Sequence, residues 1–87
     1  MEELLKELSI SSSGKFVNEN YIVDIGSYDE FSAIYNKLEQ SELLTKDSDE
    51  SHFNMDEAHI VYITDDYTLN LNGDLIADEY QLIIEEA

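Results

Sequence analysis

Apolar residues recur along this chain with two periods, one typical of helices and one typical of strands. The helical period is clearest in the middle of the chain, where positions i, i+3, i+4 and i+7 are Phe31, Ile34, Tyr35 and Leu38. Ser27 and Glu30 before this stripe form a capping box, in which side-chain oxygens accept hydrogen bonds from backbone N–H groups at a helix start. We therefore predict a helix over about residues 28–44.

A shorter helix is predicted at the beginning of the chain, because Leu4, Leu5 and Leu8 also lie at helical spacing. The stretch from Ser9 to Gly14 then breaks it. Strand-forming residues follow at 15–17 and 21–25, joined by the turn-rich triplet at 18–20, so this part of the chain reads as a hairpin.

The C-terminal third is predicted to be an antiparallel meander. Strands are expected over residues 58–64 and 67–71, with Asp65-Asp66 as one turn and Asn72-Gly73 as a type I′ hairpin turn. Counting outward from these turns pairs three sets of residues on the face that covers the helix. The pairs are Tyr62 with Leu69, Ile60 with Leu71, and Leu69 with Ile76.

Two segments are less regular. Residues 45–57 have no apolar period and are expected to form a long acidic loop. Residues 74–86 fit either a strand or a helix, and the β-branched pair Ile83-Ile84 favours the strand. The whole pattern predicts one α+β domain over residues 1–87, with a central amphipathic helix packed on an antiparallel sheet formed by the hairpin and the meander.

The charge of the chain predicts the kind of partner that the protein binds. The formal net charge is −17, from 21 acids against four Lys and no Arg, and every charged residue after Lys46 is an acid. Leu, Ile, Val and Phe number 25 of 87 residues, enough for a highly charged chain to fold. Because so large a net charge opposes the compact state, we expect the protein to use it to attract a strongly basic partner.

Several function classes are not expected. An anionic surface is repelled by nucleic acid and by anionic lipid, so we expect neither direct nucleic-acid binding nor membrane binding. The chain has no Cys, its longest apolar runs are short, and the N-terminus lacks the positive region of a signal peptide. The expected location is the cytoplasm of a bacterial host cell, and the expected state is a monomer or small homo-oligomer.

Neither a metal, a cofactor nor an enzymatic activity is expected. Residues 47–51 resemble the start of an EF-hand loop, but the sixth position is His52 instead of Gly and the twelfth is Ala58 instead of Glu. His52, Asp56 and His59 match no zinc spacing. Carboxylate pairs are inevitable among 21 acids, so they do not by themselves indicate acid–base catalysis.

The acids after Lys46 are instead the expected contact surface for a basic nucleic-acid-binding protein. Carboxylates on a small sheet approach the charge density of duplex DNA, and a cleft lined with Arg and Lys would accept them in place of phosphates. Apolar anchors are then needed for affinity, and the candidates are Phe53, Met55, Tyr67 and Tyr80. The expected partner-binding residues are Asp47, Asp49, Glu50, Asp56, Glu57, Asp65, Asp66, Tyr67, Asp74, Asp78 and Glu79.

In size, charge, lack of Cys and α+β pattern, the whole chain resembles the small acidic phage-encoded inhibitors that mimic DNA, in particular the anti-CRISPR proteins that block Cas9-type nucleases. The resemblance implies that acidic side chains occupy the site where such a nuclease reads its PAM with Arg, and that no chemistry is performed. Two alternatives stay open: an immunity protein or antitoxin that neutralises a basic toxin, and an acidic adaptor domain that binds a basic protein surface.

Overall fold

A computed structural model of the protein describes residues 2–8, 10 and 14–86. Helices α1 and α2 span Glu2–Glu7 and Tyr28–Gln40. Strands β1 to β7, in chain order, span Lys15–Val17, Asn20–Ile25, Thr45–Lys46, His52–Phe53, Glu57–Ile63, Tyr67–Asp74 and Glu79–Glu86. The predicted opening helix is present as α1, whereas the predicted break after it falls mainly on residues outside the described ones.

The strands form one antiparallel sheet in the order β1-β2-β7-β6-β5-β3, and β4 pairs with the same strand, β5, as β3 does. The C-terminal strand β7 lies between the N-terminal hairpin and the rest of the meander, and so joins the two parts of the sheet. Helix α2 packs on this sheet, which confirms the predicted α+β fold. In the described part of the chain, no helix is long and apolar enough to cross a membrane.

The core lies between α2 and one face of the sheet, because alternate residues of the four central strands point to that face. From the sheet, the core takes Val23, Ile25, Ala58, Ile60, Tyr62, Leu69, Leu71, Tyr80, Leu82 and Ile84. The helix contributes Phe31, Ile34 and Leu38 of the predicted stripe, and the Leu residues of α1 join the same cluster. We call the other side of the sheet the uncovered face, since no described helix packs on it.

The start of α2 confirms the capping box, with one difference. Ser27 Oγ accepts a hydrogen bond from the Glu30 N–H at 3.2 Å, whereas Glu30 Oε2 accepts from the Gly26 N–H, one residue before the cap, also at 3.2 Å. The helix ends at Gln40, four residues earlier than predicted. Ser41 has extended backbone angles, and its Oγ accepts from the Leu43 N–H, so its side chain competes with continuation of the helix.

The first hairpin has a tighter turn than the sequence predicted. Asn18 and Glu19 alone form the loop, and their φ angles are 50° and 74°. Two consecutive positive φ angles are the signature of a type I′ turn, whose twist matches that of the flanking strands. Asn20, predicted to belong to the turn, begins β2 instead.

The prediction of a hairpin turn at Asn72-Gly73 is wrong, because both residues lie inside β6. Gly73 pairs with Ala58 on one side and Tyr80 on the other. A Cβ at Gly73 would lie 2.9 Å from Tyr80 Cδ1 and 3.3 Å from Phe31 Cε1, so the glycine makes room for two rings packed over the sheet. The turn occurs at residues 75–78 instead, with Asp78 at φ 57°.

This displaced turn changes one of the three predicted pairs. Tyr62 lies opposite Leu69 and Ile60 opposite Leu71, as predicted, but Leu69 pairs with Ile84 rather than with Ile76. Residues 79–86 form β7, which confirms the strand and excludes the helical alternative for the end of the chain.

The prediction of a continuous loop over residues 45–57 is also wrong in part. Strands β3 and β4 both pair with β5, and residues 47–51 bulge between them opposite only residues 60–61. Ser51 Oγ donates to Asp47 O at 2.6 Å and accepts from the Val61 N–H at 2.9 Å, which closes the bulge on the strand. Such a bulge interrupts the edge of the sheet, where unpaired backbone groups would otherwise invite another strand.

Candidate protein-interaction surface

The eleven predicted partner-binding residues lie in three separate places. We call the first group the acidic end, where β5 and β7 begin and β6 ends; it comprises Asp56, Glu57, Asp74, Asp78 and Glu79. The opposite end comprises Asp65, Asp66 and Tyr67, around the turn between β5 and β6. The edge bulge holds Asp47, Asp49 and Glu50. At about 3.3 Å per residue, the seven residues of β5 separate the two ends by roughly 20 Å.

The acidic end contains a row of three carboxylates on adjacent strands. Asp74 lies directly opposite Glu57 on one side and directly opposite Glu79 on the other, and all three are exposed. Neighbouring strands are about 4.8 Å apart, and like charges placed directly opposite each other destabilise a sheet. We call these three residues the acidic row. It concentrates electrostatic repulsion at one end of the central strands.

Little positive charge opposes the acidic row. His52 Nε2 lies 3.1 Å from Glu57 Oε1, but both side chains are about half exposed, where such a pair contributes little. The sequence has no Lys or Arg after Lys46. Lys46 itself pairs with Glu39 at 3.2 Å, on the half of the sheet nearer the opposite end.

A groove of about 960 Å³ lies beside the acidic row on the uncovered face. Across its floor the strands place a polar line of Asp24, Gln81, Asn72, His59 and His52. His59 Nδ1 donates to Asn72 Oδ1, which orients the imidazole within this line. The described residues that line the groove include acids, amides and imidazoles but no Lys, so the groove offers acceptors to cationic side chains.

The turns at the acidic end are ordered by side-chain hydrogen bonds. Asn54 Oδ1 accepts from the N–H groups of Asp56 at 2.8 Å and Glu57 at 3.0 Å. In the same way, Asp74 Oδ1 accepts from the N–H groups of Ile76 at 3.1 Å and Ala77 at 3.0 Å. Both are Asx turns, in which a short polar side chain replaces a backbone acceptor.

Aromatic rings support the acidic end from the helix side. Tyr80 packs against Phe31, with ring centroids 4.9 Å apart, and Phe53 packs edge-on against Phe31 at 5.9 Å. Burial and hydrogen bonding to Asp78 raise the pKa of Tyr80 to about 12. The rings hold the end of β4 and the start of β7 against the start of α2.

The candidate anchors differ in their availability to a partner. Tyr80 is buried, and Tyr67 is half-buried and packs against the core. Phe53 is partly exposed but leans on Phe31 and Tyr35. Met55 is therefore the freely exposed member of the predicted set.

Near the opposite end, one acid, Glu39, is held by a hydroxyl and an ammonium group. The Tyr62 hydroxyl donates to Glu39 Oε2 at 2.6 Å, and Lys46 Nζ donates to Glu39 Oε1 at 3.2 Å. Burial alone would raise the pKa of Glu39, but these hydrogen bonds and the Lys46 charge lower it below its ordinary value. Burial, together with the bond to Glu39, also raises the pKa of Tyr62 far above its usual range.

Metal coordination has no candidate in the described residues, among which no group of three or more His, Cys, Asp or Glu side chains is arranged to hold an ion. His52 and His59 do come together, with ring centroids 5.8 Å apart. Their polar contacts are nevertheless to Glu57 and Asn72.

Sequence reasoning missed two features of this surface. Asp24 joins the groove because β7 lies between β2 and β6, a neighbour relation that no local pattern indicates. Ile76 was expected to face the helix, but it lies in the turn at residues 75–78. The local signal for this turn was Asp74, since Asp begins Asx turns, followed four residues later by Asp78, a residue type that tolerates left-handed backbone.

A scan against protein-family models and searches of curated proteins and of solved structures find no match to this chain.

Proposed function

We propose that this protein is a stoichiometric inhibitor that mimics DNA and occupies the basic nucleic-acid-binding cleft of a nuclease, in the manner of an anti-CRISPR protein. It acts by occupancy and performs no chemistry. Its place of action is the cytoplasm of a bacterial cell.

The observation that carries this proposal is the acidic row. The paired strands that carry its three carboxylates lie about 4.8 Å apart. Each strand of B-DNA carries about one charge per 3.4 Å of helix axis, so the row approaches the density of one phosphate backbone. A fold that keeps this repulsion on its central strands, with no Lys after Lys46 to relieve it, is suited to a partner that supplies the missing positive charge.

The chemistry of the row selects that partner. Arg in a nucleic-acid cleft pairs bidentately with carboxylates as it does with phosphates, and the groove beside the row offers further acceptors from Asp24, Asn72 and Gln81. The net charge of −17 would steer such a partner from a distance. Association should therefore be fast at low salt and slow down as salt screens the charges.

The test is capture of partners from a bacterial lysate by the immobilised full chain, at low and at high salt, with and without added duplex DNA. The proposal predicts that a basic nuclease is retained at low salt and released by the DNA. Retention of a partner despite excess DNA would instead indicate an immunity protein or an adaptor. If nothing is retained at low salt, the proposal is wrong.

A recovered nuclease permits an order-of-addition test. The protein should prevent cleavage when it is mixed with the nuclease before the DNA, and should have little effect when the DNA is bound first. Equal inhibition in both orders would place the contact outside the DNA-binding cleft.

A further inference from the structure

Two large apolar side chains are exposed on the turns of the acidic end. Met55 is 92% exposed and Ile76 is 78% exposed, the two highest values among the large apolar residues that the structure describes. Single exposed apolar residues are ordinary on protein surfaces, whereas neighbouring ones with acidic surroundings need an explanation.

Met55 and Ile76 lie on adjacent turns, because the pairing of β5 with β6 continues one position beyond the last paired residues. Glu57 lies opposite Asp74, and the Leu75 N–H then donates to Asp56 O at 3.0 Å. The next position outward on each chain is Met55 on one side and Ile76 on the other. Met55 and Ile76, which we call the tips, therefore project from these turns at the same end of the sheet.

Side-chain hydrogen bonds close the backbone turns that carry both residues. Met55 lies in the Asx turn that Asn54 closes, and Ile76 lies in the Asx turn that Asp74 closes. An anchor on a pre-ordered turn loses less conformational entropy on binding than one on a free loop. This favours a role in recognition over a chance exposure of two apolar side chains.

The surroundings of the tips determine the chemistry of their partner. Asp56, Glu57, Asp74, Asp78 and Glu79 all lie within a few residues of them, so the tips cannot approach an acidic surface without strong repulsion. A second copy of this chain, with its own charge of −17, is unsuitable for that reason. Charge complementarity requires a basic partner.

We propose that Met55 and Ile76 are the apolar anchors of the interface, and that they pack against apolar side chains set among the Arg and Lys residues of the basic partner. This inference rests on the proposed function and adds to it. The acids attract and orient the partner, and the two tips provide the burial that charge pairs in water do not.

The test uses two synthetic peptides of equal length and charge, one alternating Arg with Leu and the other alternating Arg with Ser. Each is titrated into the ¹⁵N-labelled full chain at about 0.15 M salt. The Arg–Leu peptide should bind roughly tenfold more tightly or better, because it buries the tips. Its largest additional shifts should fall on the amides of residues 54–57 and 74–77.

The variant M55S/I76S should remove the advantage of the Arg–Leu peptide and leave the affinity for the Arg–Ser peptide unchanged. The matched control L43S/I63S changes two partly exposed apolar residues near the opposite end and should keep the advantage. Equal affinities of the wild-type chain for the two peptides would overturn the inference and leave the proposed function standing.

Two further outcomes are also decisive. Failure of both peptides to bind at low salt would count against the proposed function itself. A concentration-dependent dimer in analytical ultracentrifugation that M55S/I76S abolishes would show that a second copy covers the tips, and would overturn the assignment of a basic partner.

Discussion

At the acidic end, carboxylates face one another across three adjacent strands, whereas at the opposite end Asp65 and Asp66 occupy a single turn. Lys46 pairs with Glu39 on the half of the sheet nearer that turn, so positive charge is available there. The same residue types thus have different consequences. Acids on a turn can move apart with their backbone, whereas the backbone positions of acids in register on paired strands are fixed by the sheet.

The two ends also differ in what lies beneath the acids. The acidic end is supported by packed rings, and Gly73 is the position that makes room for them. Gly73→Val should lower the free energy of unfolding by about 3 kcal/mol, because its side chain would overlap Tyr80. Urea denaturation measures the change. Gly26→Ala is the control, since the nearest atom to its added Cβ lies at 3.7 Å, and a similar loss there would contradict the explanation.

The hydrogen-bonded pair of Tyr62 and Glu39, near the opposite end, should contribute less. Tyr62→Phe removes the donor that Glu39 accepts from, and we expect a loss of about 1.5–2 kcal/mol, typical of a hydrogen bond to a charged group. Tyr28→Phe, which alters a hydroxyl on a half-exposed ring, should change stability by only a few tenths of a kcal/mol. Equal effects would show that the Glu39 bond is not important for stability.

The same pair predicts a pH dependence with a definite sign. Because the pKa of Tyr62 is raised in the folded state, its contribution to stability is complete below its unfolded pKa of about 10 and is lost as the pH rises above that value. Because the pKa of Glu39 is lowered, its contribution is present above its unfolded pKa of 4.5 and is lost at lower pH. The stability of Tyr62→Phe should therefore fall less steeply than that of the wild-type chain as the pH rises above 10, as followed by circular dichroism.

Neutralising the acidic row should have a smaller effect of the opposite sign. E57Q/D74N/E79Q keeps the side-chain oxygen that closes the Asx turn and should stabilise the protein by about 0.5–1 kcal/mol at low salt, with less gain at high salt. E42Q/D65N/D66N removes the same charge on the other half of the molecule, where Glu42 is exposed in the turn between α2 and β3, and should change stability by no more than a few tenths of a kcal/mol. If the two variants change the free energy of unfolding equally, the register of the acidic row does not itself destabilise the fold.

The smallest effect is expected for M55S/I76S, which should alter the free energy of unfolding by no more than about 0.5 kcal/mol, because both side chains are already exposed. Thermal or urea denaturation tests this. A large destabilisation would mean that the tips serve the fold and are not free to serve a partner.

Local signals predicted those parts of the fold that local chemistry determines. The capping box at Ser27 and the stripe from Phe31 to Leu38 lie within one helix, so their spacing is sufficient to find it. Asn72-Gly73 has the composition of a hairpin turn, but long-range packing of Tyr80 and Phe31 over Gly73 overrides that preference. The strands β3 and β4 have two residues each, too few for any period to appear.

The candidate surface was likewise predictable in its local chemistry but not in its long-range arrangement. Its chemistry was predictable, because charge and composition are properties of the sequence. Its arrangement was not, since the acidic row depends on β6 continuing to Asp74 and on β7 beginning at Glu79. Ile76 was missed for the same reason, because moving one turn by a few residues changes a core position into an exposed tip.

The most direct test of the account is the affinity of two matched variants for a partner that duplex DNA displaces. E57K/D74N/E79K changes the acidic row, and E42K/D65N/D66K changes the other half; each contains two reversals and one neutralisation, so the net charge rises from −17 to −12 in both. We predict that the first loses affinity by roughly a hundredfold and that the second stays within about fivefold of the wild-type chain. Equal losses in the two variants would mean that net charge alone attracts the partner, and would contradict the claim that the acidic row is the contact.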